Sequence, residues 1–90
     1  MSRDICVDVQ ELKTFLDTLR NFQDKMHDSF KTLELDWQVC DDSWEGDSKQ
    51  KFAKDFTETL TEVQSSLKAG DEATDWLEQF YEILQEFEES

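Results

Sequence analysis

Proline is absent from this chain and glycine occurs only twice, at Gly46 and Gly70, so few positions can stop a helix. Basic residues are scarce: nine Lys and Arg stand against 23 Asp and Glu, a formal net charge of -14 at pH 7. That balance excludes a nucleic-acid backbone or an anionic membrane surface as a partner and makes any charged partner basic. No apolar run reaches the roughly 18 residues of a membrane span, so no stable membrane insertion is expected. The start Met1-Ser2-Arg3-Asp4-Ile5-Cys6 lacks the basic-then-apolar layout of a cleaved signal peptide, so any export would take another route. Cysteine is limited to Cys6 and Cys40. With residues 9–40 helical, the two would lie roughly 50 Å apart, which excludes an intrachain disulfide and leaves Cys40 as a small apolar group suited to a reducing cytoplasm.

What is present is apolar and regularly spaced. Hydrophobic residues make up 37% of the chain, with seven Phe and three Trp, too much for a disordered acidic tail. Asp8 is placed to cap a first helix, with Glu11 completing a capping box and Val7 and Leu12 at the staple positions. From there Val9, Leu12, Leu16, Leu19, Gln23, Met26, Phe30, Leu33, Trp37, Cys40 and Trp44 alternate at spacings of three and four, the seam of a helix packed on a partner helix. Phe15 and Phe22 fall beside that seam and widen the stripe. Gln23, the polar member, reads as a solvated or cross-paired amide that can also fix register.

Trp44-Glu45-Gly46 sits almost at the midpoint, between two arms of matched length. Asp41, Asp42 and Ser43 end the first periodicity, Gly46 admits backbone angles that other residues avoid, and Asp47 with Gln50 reads as a second capping box. Trp44 is expected to fold back and close the end of the core. Downstream, Phe52, Phe56, Leu60, Val63, Leu67, Ala73, Leu77, Phe80, Leu84 and Phe87 keep helical spacing, with Thr59, Ser66 and Gly70 in the same zone. The expected architecture is a single all-α domain over residues 1–90: helix 1 over about 9–41, a turn over 42–46, and helix 2 over about 47–87, continuous or mildly kinked near Gly70.

Two antiparallel helices cover only one face of each other. Phe15, Phe22, Leu60 and Leu67 are therefore left for a second contact, and a 90-residue chain is small enough that help from oligomerisation is the default. The expected core and dimer interface comprises Phe15, Leu16, Leu19, Phe22, Met26, Phe30, Leu33, Trp37, Phe52, Phe56, Leu60, Val63 and Leu67, which closes two hairpins into a four-helix bundle. Residues 69–90 carry eight acidic side chains and no basic ones, a solvating end or a docking tail for a basic partner.

No phosphate-binding loop, Cys-x-x-Cys pair, nucleophile elbow or zinc-protease motif occurs, so no catalytic residue and no cofactor is expected. Asp24-x-x-His27, with Glu58 or Glu62, is the one arrangement with metal-ligand character. It lies outside the central seam, whereas ligands in helical bundles project inward, so it reads as a surface pair and no metal is expected.

Ser43-Trp44-Glu45-Gly46 at the midpoint, Asp8 opening a long first helix, and Ser48 and Phe52 on the turn that follows resemble the WXG family, the ESAT-like helical hairpins of type VII secretion. The resemblance covers nearly the whole chain. It implies a four-helix bundle of two hairpins, a homodimer or a heterodimer with a related protein, present in the cytoplasm and then exported folded through a membrane ATPase complex. It also implies a role as a secreted effector or as a partner that carries a larger toxin. In that family a tyrosine followed four residues later by an acid, near the end of the second helix, acts as an export signal. Here Tyr81 is followed at that spacing by Gln85, with Glu86 one step beyond, so the signal would be supplied by a partner chain or be absent. The alternative from the residues themselves is a cytoplasmic acidic binding module, an inhibitor, immunity protein or targeting chaperone for a basic client.

Overall fold

Two antiparallel helices, α1 (Val9–Ser43) and α2 (Asp47–Glu89), make up nearly all of the computed structural model, which describes residues 7–89 and contains no strand among them. Cys6, one of the two cysteines weighed for a disulfide, lies outside the described residues. The start of α1 is fixed by Asp8, whose backbone is extended (φ -74°, ψ 115°) and whose Oδ1 accepts the N–H groups of Gln10 at 2.9 Å and Glu11 at 3.0 Å. These are two of the donors that a helix start leaves without an intrahelical acceptor.

The helix ends at Ser43, two residues beyond the expected limit, because Trp44 N–H still donates to the Cys40 carbonyl at 2.9 Å. Only residues 44–46 connect the helices. Gly46 has φ +113°, a left-handed conformation that a side chain would strain, and its carbonyl accepts from Lys49 N–H at 3.2 Å and Gln50 N–H at 3.4 Å. Gly46 is thus the cap of α2. Asp47, expected in that position with Gln50, instead occupies the first turn, where its charge complements the N-terminal end of the helix dipole. α2 runs as one helix through Gly70.

The hairpin is a thin rod, with extents of 65 × 21 × 15 Å and a radius of gyration of 19.9 Å, against roughly 12 Å for a compact domain of this length. Its core is correspondingly narrow. Among the described residues Leu16, Leu67 and Leu84 are the buried hydrophobic side chains, joined by the buried polar groups of Gln23 and Thr74. Leu12, Leu19, Met26, Phe30 and Trp37 of α1 are half-buried, as are Phe56, Leu60, Val63, Leu77 and Phe80 of α2.

At the turn the core becomes aromatic. The Trp37 ring lies 5.4 Å from Phe52 and 5.3 Å from Phe56, and Trp44 closes over it edge-on at 6.4 Å while also lying 5.7 Å from Phe52. Phe52 and Phe56 stack at 5.1 Å. Edge-to-face and offset geometries of this kind add to the area term of burial, so four rings tie the two helices together where only three residues link them.

Candidate functional site

The two long flanks of the hairpin differ in chemistry. On one, side chains of α1 at seven-residue multiples meet α2 through charge: Arg20 pairs with Glu78, His27 Nε2 lies 2.8 Å from Asp71 Oδ2, and Asp41 lies 2.8 Å from Lys49 Nζ. Arg20 also reaches Asp17 on its own helix at 3.7 Å. Glu78 holds the Arg20 guanidinium in its charged form more firmly than usual, first by a hydrogen bond and then by its charge. Asp71 is the most connected acid on this flank. The Gln23 amide donates to its Oδ1 at 2.9 Å, and that bond, then the one with His27, holds the Asp71 carboxyl below the usual carboxylate range, against the opposing effect of desolvation. These groups are roughly half-exposed, so they order this flank more than they stabilise it.

His27 therefore pairs across the hairpin with Asp71, 44 residues away, and not with Asp24 in its own turn as the sequence suggested. Among the described residues no group of three or more His, Cys, Asp or Glu side chains is arranged to hold a metal ion. Gln23 is buried, and besides Asp71 it donates to the Leu67 carbonyl at 3.1 Å, so the polar position in the seam is a cross-paired amide.

None of the cross-helix ion pairs found among the described residues falls on the other flank. Phe15 and Phe22, 56% and 54% exposed, stand one heptad apart along α1. Every seventh residue of α2 from Phe52 falls on its matching edge: Phe52, Thr59, Ser66, Ala73, Phe80 and Phe87. Between the helices lies an open groove of about 370 Å³, with Phe22 and Met26 on one wall and Thr59, Val63 and Ser66 on the other. Gln23 and Leu67 also line it, and Glu62 is its sole acid. Large rings at the ends and small side chains at the centre give this face relief.

The expected interface residues divide accordingly. Leu16 and Leu67 are consumed by the contact of α1 with α2, so Leu67 is not left for a second contact, and Leu60 is half-covered. Leu19, Met26, Phe30, Trp37, Phe56 and Val63 are half-buried, while Phe15, Phe22, Leu33 and Phe52 remain exposed. Trp44 and Gly46 form the connection itself. Tyr81 is half-buried on the charged flank, lining a shallow hollow with Leu16, Arg20, Glu78 and Gln85; Gln85 and Glu86 are exposed. Cys40 is exposed and not packed in the seam, because the aromatic cluster at the turn fills the space between the helices.

Leu35 and Val39 of α1 and Trp76 and Ile83 of α2, between 53% and 72% exposed, were not singled out by the spacing of the seam. All four stand outside it, Trp76 and Ile83 seven residues apart. Counting apolar residues at positions that cannot face the other helix would have found them. No helix among the described residues is long and apolar enough to cross a membrane. Compared with known proteins, the chain matches no family model, no curated protein and no solved structure.

Proposed function

We propose that this protein is a non-enzymatic interaction module whose uncharged flank is covered by a second hairpin, identical or related, in a four-helix bundle. The observation that carries the reading is the exposure of Phe15, Phe22, Leu33 and Phe52 along one flank, while the other is occupied by cross-helix charge pairs. Area supports it. The chain exposes 7388 Å², whereas a compact monomer of 10.7 kDa exposes roughly 5,500 Å², and a standard interface removes about 800 Å² per partner. Shape supports it as well. The groove sets the projecting Phe22 beside a wall of small residues, and a knob next to a hole is what an isologous two-fold contact requires.

Within that reading, the resemblance to the WXG family carries the biological role. The pair of hairpins acts as a secreted effector, or as a partner that delivers a larger toxin to a type VII-like secretion ATPase. The Trp44-x-Gly46 connection is the shared element, and with no acid four residues after Tyr81 the export signal is supplied by the partner chain or is absent.

Light scattering after gel filtration tests the structural premise. At micromolar concentration we expect twice the 10.7 kDa chain mass, alone or after mixing with a related hairpin; a monomer under both conditions would overturn the reading. The role is tested by fractionation. In cells carrying a type VII system, the protein should reach the medium only when the membrane ATPase is intact, and retention in the cytoplasm in both backgrounds would favour the acidic-module alternative.

A further inference from the structure

The far end of α2 carries an exposed apolar surface in which Phe80 and Phe87 continue the edge of the uncharged flank, while Trp76 and Ile83 stand outside that edge. Trp76, Phe80, Ile83 and Phe87 are spaced by four, three and four residues, which places them in one stripe along roughly three helical turns. Trp76 is 64% exposed, Ile83 53% and Phe87 75%. The Trp76 ring lies flat against Phe80, with centroids 5.4 Å apart and an interplanar angle of 10°. Stacking fixes the indole, so this is a preformed aromatic wall and not a set of loose side chains.

The border of that wall is acidic. Glu72 and Asp75 are exposed beside it, and residues 69–87 of α2 include no Lys or Arg, whereas Glu82 lines the hollow between the helices with Lys13 and Arg20 of α1. An apolar stripe bordered by one sign of charge selects its partner twice, by shape and by sign. An anionic bilayer matches the stripe and is repelled by the border. A second copy docking ridge to ridge would set this acidic border against its own, since residues 69–87 of either copy include no Lys or Arg. A helix with one apolar face and flanking Lys or Arg satisfies both.

We propose that the ridge of Trp76, Phe80, Ile83 and Phe87 is a docking site for a basic amphipathic helix of a different protein. Trp76 and Ile83 lie outside the edge assigned to pairing, so the site holds whether or not that edge pairs two hairpins. The ridge supplies burial of the partner's apolar face, Trp76 is its anchor, and Glu72 and Asp75 set orientation and rate of encounter.

The test uses the full chain and two synthetic peptides of about 18 residues, roughly five helical turns, with the same leucine pattern and either Lys or Glu on the polar face. Titration calorimetry should detect the Lys peptide and find the Glu peptide at least about tenfold weaker, with the affinity of the former falling as salt is raised. Trp76→Ser should weaken the Lys peptide by about tenfold or more without changing far-ultraviolet circular dichroism or the mass of the hairpin assembly. Ile83→Ser, at a second exposed position, serves if Trp76→Ser does not fold. Equal binding of the two peptides, binding of neither, or unchanged affinity in the serine variants would overturn the proposal. So would a loss of assembly mass on either substitution, which would assign the ridge to contact between copies. Loss of dimer mass in the unaltered protein, with peptide binding intact, would count against the hairpin-pairing reading alone.

Discussion

The side-chain amide of Gln23 occupies the space that a β-carbon at residue 70 would need. A methyl group built on Gly70 would lie 2.5 Å from Gln23 Oε1 and 2.8 Å from its Cδ. The far end of a glutamine normally swings aside at little cost, but this one is buried and holds both the Leu67 carbonyl and Asp71. Gly70 is thus a docking notch in α2, and Thr74, whose Oγ1 donates to the Gly70 carbonyl at 2.7 Å, seals its next turn.

A sign reversal follows. Gly70→Ala ordinarily stabilises a helix by about 1 kcal/mol, but here it should destabilise the protein by about 1–2 kcal/mol, because displacing a buried amide from its partners outweighs the gain in propensity. In the Gln23→Ala background the same change should become stabilising by up to about 1 kcal/mol. Urea unfolding of the four members of the cycle measures it. Additive effects would refute the notch.

Gly46 tests backbone strain in isolation. An added β-carbon there meets no atom within 4 Å, so Gly46→Ala carries no steric conflict with neighbours, only the penalty of holding φ near +113°. We expect a loss of about 1–2 kcal/mol with unchanged helicity, read from the thermal midpoint monitored by circular dichroism.

Acid should act selectively at Asp71. Its folded-state pKa is lowered by Gln23 and His27, so the native state binds fewer protons than the unfolded chain. The contribution is therefore fully present above the ordinary carboxylate value near 3.8 and is lost as pH falls through the lowered value. The stability difference between the unaltered protein and Asp71→Asn should shrink below about pH 4. A difference that grows as pH falls below about 4 would contradict the assignment.

Association should depend on the uncharged flank more than on the core. Phe22→Glu places a charge at an exposed position of the single hairpin, so it should leave helicity intact at concentrations where the hairpin is folded, yet weaken pairing by about tenfold or more. Sedimentation over a range of concentrations distinguishes the two effects. Arg20→Gln on the opposite flank should change the dissociation constant by less than about twofold.

Much of this hairpin was legible because a seven-residue register is a local property. The spacing from Val9 to Trp44 is enough to orient α1, and Gly46 with Asp8 is enough to bound it. What the register omits is stagger, the offset of one helix against the other. Gln23 with Asp71 and His27 with Asp71 are contacts across 48 and 44 residues, and no pattern within either helix contains that offset. For the same reason Leu67 looked available for an outside partner: the width of an apolar stripe does not say which edge faces inward. The second cap failed for a narrower reason. A glycine with a free carbonyl can begin a helix as well as an aspartate can, and Gly46 precedes Asp47 in the chain.

The charge pairs along one flank also bear on how large any assembly can grow. Filaments need adhesive surfaces on two sides, so that each new subunit offers a fresh one to the next. Arg20, His27 and Asp41, already bound to their own molecule, occupy the charged flank. Under the proposed pairing the oily broadside is used up by one partner hairpin, and the expected product is a finite couple in place of a fibre.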